Sequence, residues 1–418
     1  MKLETIPQDV AVNGGFKTSE FAIGDIAFIV DMFADKVYSH KERAVIRELA
    51  CNAHDSHVMA GTTEIPFDVH LPTSLEPFFS VRDYGTGLTD HEVRTIFAGI
   101  GISTKRSSNE VIGCFGIGSL SPYSMTDSFN VKSYKDGICH IYTCYRDEQR
   151  KPVVALLVES ETDEPNGLEV SLSVNGRIYD FEVEAENVFR FWEGTIPNIN
   201  NKNIISKCEK QRNSYIFKSD DFGFTGVEAE YLYAVMGNIS YKIPYELCEI
   251  RTGGYIKFEL GELDFDTSRE NLSMTDKVKT AIKNKIEQIK ERLGDLAKEK
   301  IEGEPTKFKR AKMAYIMNKS SVCKHAKIDM NSYQLPKTTE DINFWKPKYR
   351  SVEKVETLYL PLGENIEYYE YSPRMSLRIR EHIKKTGAKV VVLTPVQIVE
   401  CEIDVDVLKN LNDLPAIE

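Results

Sequence analysis

Glu48, Asn52 and Asp55 stand at i, i+4 and i+7 in RELACNAHDSH (Arg47–His57). A carboxylate at such a place can act as a base toward water, and a neutral amide oxygen suits a hard cation such as Mg²⁺. A helix turns about 100° per residue, so the three side chains fall on one stripe within roughly 40°. Val45, Ile46, Leu49, Ala50 and Ala53 form a neighbouring apolar face that draws the helix into a core. A capped, salt-bridged surface helix is the alternative reading of this window.

Two glycine-bearing motifs follow. In FFSVRDYGTGLTDHEV, Asp83 heads the turn Asp83-Tyr84-Gly85-Thr86-Gly87. The glycines at Gly85 and Gly87 let a flat ligand approach the backbone, and the carboxylate can accept a hydrogen bond from an exocyclic amine. Taken alone, DxGxG is a tight turn after a strand. In GCFGIGSLSPYS, Gly113, Gly116 and Gly118 open a helix expected over residues 116–125. Free N–H groups at a glycine-rich helix start form a phosphate cradle. The preceding AGIGISTKRSSNEVI (Ala98–Ile112) reads as a flap, with Lys105 placed to close over phosphates or simply solvated.

The elements that must position these groups are legible nearby. Ser39 and Glu42 spell a capping box at the start of SHKERAVIREL. Phe78–Val81 is a β-type run, and Thr89 with Glu92 spells a second capping box directly after the Asp83 turn.

In this order, VYSHKERAVIRELACNAHDSH, DYGTGLTDHEV and IGCFGIGSLS resemble the Bergerat-fold GHKL ATPases, the motifs being closest to those of the ninety-kilodalton heat-shock chaperone. The likeness covers roughly residues 36–135, and more loosely reaches about residue 175. No Walker P-loop is present. The resemblance implies ATP and Mg²⁺ as ligands. Glu48 would polarise the attacking water, Asn52 would hold Mg²⁺, and Asp83 would read the adenine amine. Gly85 and Gly87 would shape the base pocket, and the backbone around Gly113, Gly116, Ile117 and Gly118 would wrap the phosphates. Asp55 would support the pocket and Arg47 would orient Glu48. One departure stands out: where many members carry Thr after the glycine of the strand closing the adenine pocket, Leu168 follows Gly167 here.

Hydrolysis needs a cationic group at the terminal phosphate, because a carboxylate near its reference pKa of about 4.3 is a weak base. Arg269, in ELDFDTSRENLSMTDKV, resembles the chaperone's middle-domain arginine. The alternative is an ordinary loop arginine paired with Glu270 or Asp266. The following helix, TDKVKTAIKNKIEQIKERLGDLAKEK, carries Val278, Ile282, Ile286, Ile289, Leu293 and Leu296 at steps suited to packing on a sheet, with a coiled coil as runner-up.

The fold class expected is α/β (an α+β sandwich): a GHKL ATP-binding domain over 1–175, a transducer-like domain over 176–300, and a C-terminal α/β partner-binding module over 301–418. The charged stretch Glu299–Lys312 reads as an exposed boundary. NFWKPKYR (Asn343–Arg350) reads as a solvated loop, with phosphate, nucleic-acid or lipid contact as the alternative. The wider layout over the first 300 residues, including NGGFKTSEFAIGDIAFIVDMFADKVYSHK and AVMGNISYKIP, also resembles bacteriophage rIIA-like proteins. These are GHKL-type ATPases implicated in phage–host conflict. That implies an ATP-dependent homodimer and a smaller rIIB-like or host protein as partner.

Composition narrows the classes. A net charge of −11 gives no global attraction to nucleic acid or anionic membrane. The eight cysteines include no CxxC pair, which argues against a zinc site or disulfide framework and for a reducing, cytoplasmic compartment. No apolar run approaches a membrane span.

Overall fold

The computed structural model describes residues 26–32, 36–99 and 118–409, apart from Arg177, Glu228, Glu249, Ser321, Arg350, Glu364 and Arg374. Lys105, Gly113, Gly116 and Ile117, the rest of the flap beyond Gly99, and the segment before Ile26 lie outside the described residues. The protein is a mixed α and β chain built on three mixed sheets.

The first sheet holds β1 (Asp68–His70), β2 (Phe78–Arg82), β3 (Ser128–Lys135), β4 (Ile138–Arg146), β5 (Pro152–Glu161), β6 (Gly167–Ser173) and β7 (Asn198–Ile199), in the order β5-β4-β3-β6-β2-β1-β7. All its pairings are antiparallel except β1 with β7. After the short α1 (Ile26–Met32), helix α2 (Lys41–Ala60) packs Val45, Ile46, Leu49, Ala50 and Ala53 into the core of this sheet beside Phe79, Val81 and Leu172. The apolar spacing therefore does what the sequence pattern implies. Burial runs all round α2, however, and its polar residues Arg47, Glu48, Asp55 and His57 are buried too. Gly61 ends the helix in the left-handed region at φ 71°, a conformation a Cβ makes costly.

Thr89 and Glu92 form the expected reciprocal capping box and open α3 (Asp90–Glu92), which continues as a π-turn over Val93–Phe97. Ser39 and Glu42 do not form theirs: the N-cap of α2 is His40, which makes no side-chain cap bond. The helix expected from Gly116 is, where described, a 3-10 helix over Gly118–Ser124, since Pro122 offers no N–H to a regular α ladder. Helices α4 (Ile178–Phe189) and α5 (Lys202–Asn213) pack into the first core through Phe181, Ala185, Ile204 and Cys208.

The second sheet holds β8 (Phe217–Lys218), β9 (Phe222–Phe224), β10 (Leu232–Met236), β11 (Ile239–Ile243) and β12 (Gly254–Phe258), in the order β11-β10-β12-β9-β8. Helix α6 (Asp276–Glu302) lies on it through Val278, Ile282, Ile286, Ile289 and Leu293, with Leu296 partly buried. Packing on a sheet thus accounts for the apolar spacing of this helix. Full burial of such a side chain contributes about 1.5–3 kcal/mol. Cys51, on the far side of α2, joins this second core, so one helix is shared by two cores.

Residues 299–312 are exposed in part and carry a break between two helices, but three of their side chains, Ile301, Phe308 and Ala311, are buried. Helix α6 runs to Glu302 and α7 (Lys307–Lys319) begins five residues later, burying Phe308 and Ala311. Charges dominate the stretch by number, but the apolar residues fall at helical intervals on the inner face.

After α8 (Cys323–Ala326), the third sheet holds β13 (Ile342–Lys348), β14 (Ser351–Thr357), β15 (Ile366–Glu370), β16 (Lys389–Leu393) and β17 (Leu408–Lys409), in the order β14-β13-β16-β15-β17. Helix α9 (Met375–Thr386) covers one face and α10 (Pro395–Glu400) lies on the other. NFWKPKYR is therefore largely strand rather than loop. Trp345 is buried under α9, and Lys346 pairs with Glu353 across the β13–β14 ladder. Among the described residues, no helix is long and apolar enough to cross a membrane, and six cysteines are free and buried.

Candidate functional site

Helix α2 presents Glu48 and Asn52 toward Gly118, at the start of the 3-10 helix. A Cβ added at Gly118 would lie 3.1 Å from Glu48 Oε2 and 3.4 Å from Asn52 Nδ2. The E-x-x-x-N stripe and the last glycine of the third motif therefore meet. Asp55, one turn on, is fully buried.

Both oxygens of Glu48 are engaged. Arg47 Nε and Nη2 donate to Oε1 at 3.1 and 3.0 Å, while Arg269 Nη1 donates to Oε2 at 3.2 Å. Burial opposes charge on this carboxyl, but the Arg269 and Arg47 guanidiniums outweigh it and hold Glu48 below the usual carboxylate range. Arg269 Nη1 thus reaches Glu48, while the carboxylates of Asp266 and Glu270 accept from groups of the loop and of the Ser39–His40 backbone.

The loop carrying Arg269 is closed by an antiparallel bridge between Phe265 and Leu272. Asp266 Oδ1 accepts from Ser268 Oγ and Glu270 N, and Oδ2 accepts from Asn271 Nδ2. Arg269 itself adopts φ 57°, a left-handed conformation that costs an ordinary residue about 1 kcal/mol. The backbone carbonyls of Ser268 and Arg269 accept Arg47 Nη2 and Nη1 at 2.8 and 2.9 Å. Arg47 is therefore the bridge between Glu48 and this loop as well as the partner of Glu48.

Asp83 leaves β2 at the opposite end of α2. Its Oδ1 accepts from Ser56 Oγ at 3.0 Å and from Gly85 N at 2.9 Å. Burial pushes the Asp83 carboxyl above the usual carboxylate range, against those two hydrogen bonds. The Leu168 carbonyl takes the Asp83 N–H at 2.9 Å, so the residue in the threonine position holds the turn by its backbone. The two turn glycines have a local reason besides ligand access: a Cβ at Gly85 would strike Ser56, and one at Gly87 would strike the Tyr134 carbonyl.

Ser56 and His57 are functional candidates absent from the sequence expectations. Ser56 Oγ also accepts the Thr86 N–H at 3.2 Å. His57 Nε2 accepts the Tyr84 N–H at 2.9 Å, which places the ring proton on Nδ1, donated to the Thr62 carbonyl. Arg82 lies between the rings of Tyr84 and Tyr134, its guanidinium 4.8 and 4.2 Å from their centroids, and donates to the Asp83 and Pro165 carbonyls. Lys135 Nζ reaches the Thr86 carbonyl at 2.8 Å. The Asp83–Leu88 turn is thus clamped between α2 and β3.

No protein-family model and no curated protein matches the chain. The chemical argument rests on the geometry: a carboxylate and an amide beside an open glycine backbone, a second buried carboxylate at the other end of the same helix, and an arginine brought in from the second sheet. Among the described residues no cluster of three or more His, Cys, Asp or Glu side chains could hold a metal.

Proposed function

We propose that the chain is a Mg²⁺-dependent ATP-binding and ATP-hydrolysing protein of GHKL type, working as an ATP-gated clamp. The observation that carries this reading is the meeting of Glu48, Asn52 and Gly118, with Arg269 contributed by a loop 221 residues away in sequence. Asp83 would accept the adenine amine on the pocket side of its carboxylate, while Ser56 and Gly85 fix the other oxygen.

A site for Mg²⁺ fits these residues. The Asn52 amide carries one hard oxygen and lies against Gly118, where a side chain would press on it and on Glu48, and Mg²⁺ commonly takes few protein ligands plus phosphate oxygens and water. When bound, the ion would supply positive charge that offsets the charge of the phosphates. Glu48 would orient and deprotonate the attacking water once Arg269 leaves Oε2. A terminal phosphate competes for that guanidinium, so substrate binding would itself release the base. Dimerisation on ATP, with an rIIB-like or host protein as partner, belongs to the same reading.

A second reading is a nucleotide-stabilised interaction module without significant turnover. The engagement of both Glu48 oxygens by arginines favours it, because a carboxylate so held is a weak base. Calorimetric titration with Mg·ATP tests the common premise. Wild type is expected to bind, and Asp83→Asn to lose at least tenfold in affinity. Equal affinity in the two proteins would remove Asp83 from the pocket.

A further inference from the structure

Helix α2 begins without a cap of its own: the side chain of N-cap residue His40 makes no capping bond. Glu270 binds the chain at the entry to the helix instead: its Oε2 takes the Ser39 N–H at 3.1 Å and its Oε1 takes the N-cap His40 N–H at 3.0 Å, the N-cap bond being one that a capping-box glutamate would otherwise make. A carboxylate there also meets the positive end of the helix dipole. Glu270 is the sequence neighbour of Arg269, and the loop holding both is stiffened by Asp266, which bonds the Glu270 N–H at 3.2 Å.

We propose that Glu270 is a positioning residue for the site: its carboxylate docks the Arg269 loop onto the start of α2 and so sets the reach of Arg269 to Glu48 and to a terminal phosphate. This role rests on the nucleotide-site reading above. The physical argument is one of restraint. Arg269 has two destinations, the Glu48 carboxylate and the phosphate, and a long side chain finds either quickly only if its backbone is held nearby. The carbonyls of Ser268 and Arg269 hold the loop through Arg47, but that residue also serves Glu48. Glu270 grips backbone N–H groups that do not depend on the state of Glu48. It is therefore the contact that persists when Arg269 changes partner.

The test is steady-state ATP turnover and Mg·ATP affinity of the full chain for wild type, Glu270→Ala and Glu270→Gln, with hydrogen exchange over residues 39–44. Glu270→Ala is expected to lower kcat at least tenfold, to leave nucleotide affinity within twofold, and to speed exchange at the start of α2. Glu270→Gln, which keeps one acceptor oxygen, is expected to recover part of kcat. A destabilised Glu270→Ala protein with wild-type kcat would reduce Glu270 to a structural cap and overturn the proposal. So would equal losses of kcat in the alanine and glutamine variants without any change in exchange. A wild type that binds no nucleotide would instead overturn the site reading itself, and this role with it.

Discussion

Arg269 Nη1 lies 3.2 Å from Glu48 Oε2, with both side chains buried. The pair joins the second sheet's loop to the helix shared by two cores. Removing one partner of a buried ion pair leaves the other charge uncompensated, at a cost on the order of 3 kcal/mol. Arg269→Ala should lose that much stability in denaturant unfolding. Arg269→Gly should lose about 1 kcal/mol less, because glycine adopts the left-handed conformation at this position without strain. Equal losses would show that the backbone relaxes away from φ 57° in the variants.

The same pair sets a pH dependence. Burial disfavours the ionised Glu48, and the Arg269 and Arg47 charges more than compensate, so its folded pKa lies below the unfolded value of about 4.3. The resulting stability is present above that value and is lost as pH falls through the lower folded one. Arg269→Ala removes the largest compensating charge. Its acid unfolding midpoint, followed by circular dichroism, should move to higher pH.

Asp83 carries the opposite sign. Its folded pKa is raised by burial, so its contribution is fully present below the unfolded carboxylate value and is lost as pH rises through the folded one. Asp83→Asn keeps an oxygen for Ser56 and Gly85 while removing the buried charge. The variant should melt at the same temperature as wild type or a few degrees higher at pH 7–8, and bind ATP poorly. A large loss of stability would contradict this account of the pocket.

Gly167 separates packing from ligand binding. It holds φ 145° in β6, and a Cβ there would collide with the Asp83 carbonyl and the Arg82 guanidinium. Gly167→Ala should cost about 3 kcal/mol, measured by thermal unfolding, because the Asp83 backbone must move as well as the Arg82 side chain. Gly118→Ala meets only side-chain atoms at 3.1 and 3.4 Å, so it should fold normally and lose nucleotide affinity.

The parts of the candidate site that are legible in the sequence are those whose geometry is local. The stripe Glu48-Asn52-Asp55 and the apolar face of α2 lie within about three helical turns, and the Thr89–Glu92 box spans four residues. What escaped depended on distant partners. The Ser39–Glu42 box has the right letters, yet the N–H of Ser39 goes to Glu270, 231 residues on. Ser56 and His57 acquire their roles from partners 27 residues on, Asp83 and Tyr84. NFWKPKYR reads as solvated because its charges are frequent, whereas its ladder with β14 neutralises Lys346 and leaves Trp345 to the core.

The central claim is that Glu48 turns over ATP at this site. The most direct measurement is phosphate release at saturating Mg·ATP by wild type and Glu48→Ala, with nucleotide affinity measured on the same samples. The account predicts turnover in wild type, a fall of at least a hundredfold in Glu48→Ala, and affinity kept within a few-fold. Equal turnover in the two proteins, or none in a wild type that binds ATP tightly, would contradict it.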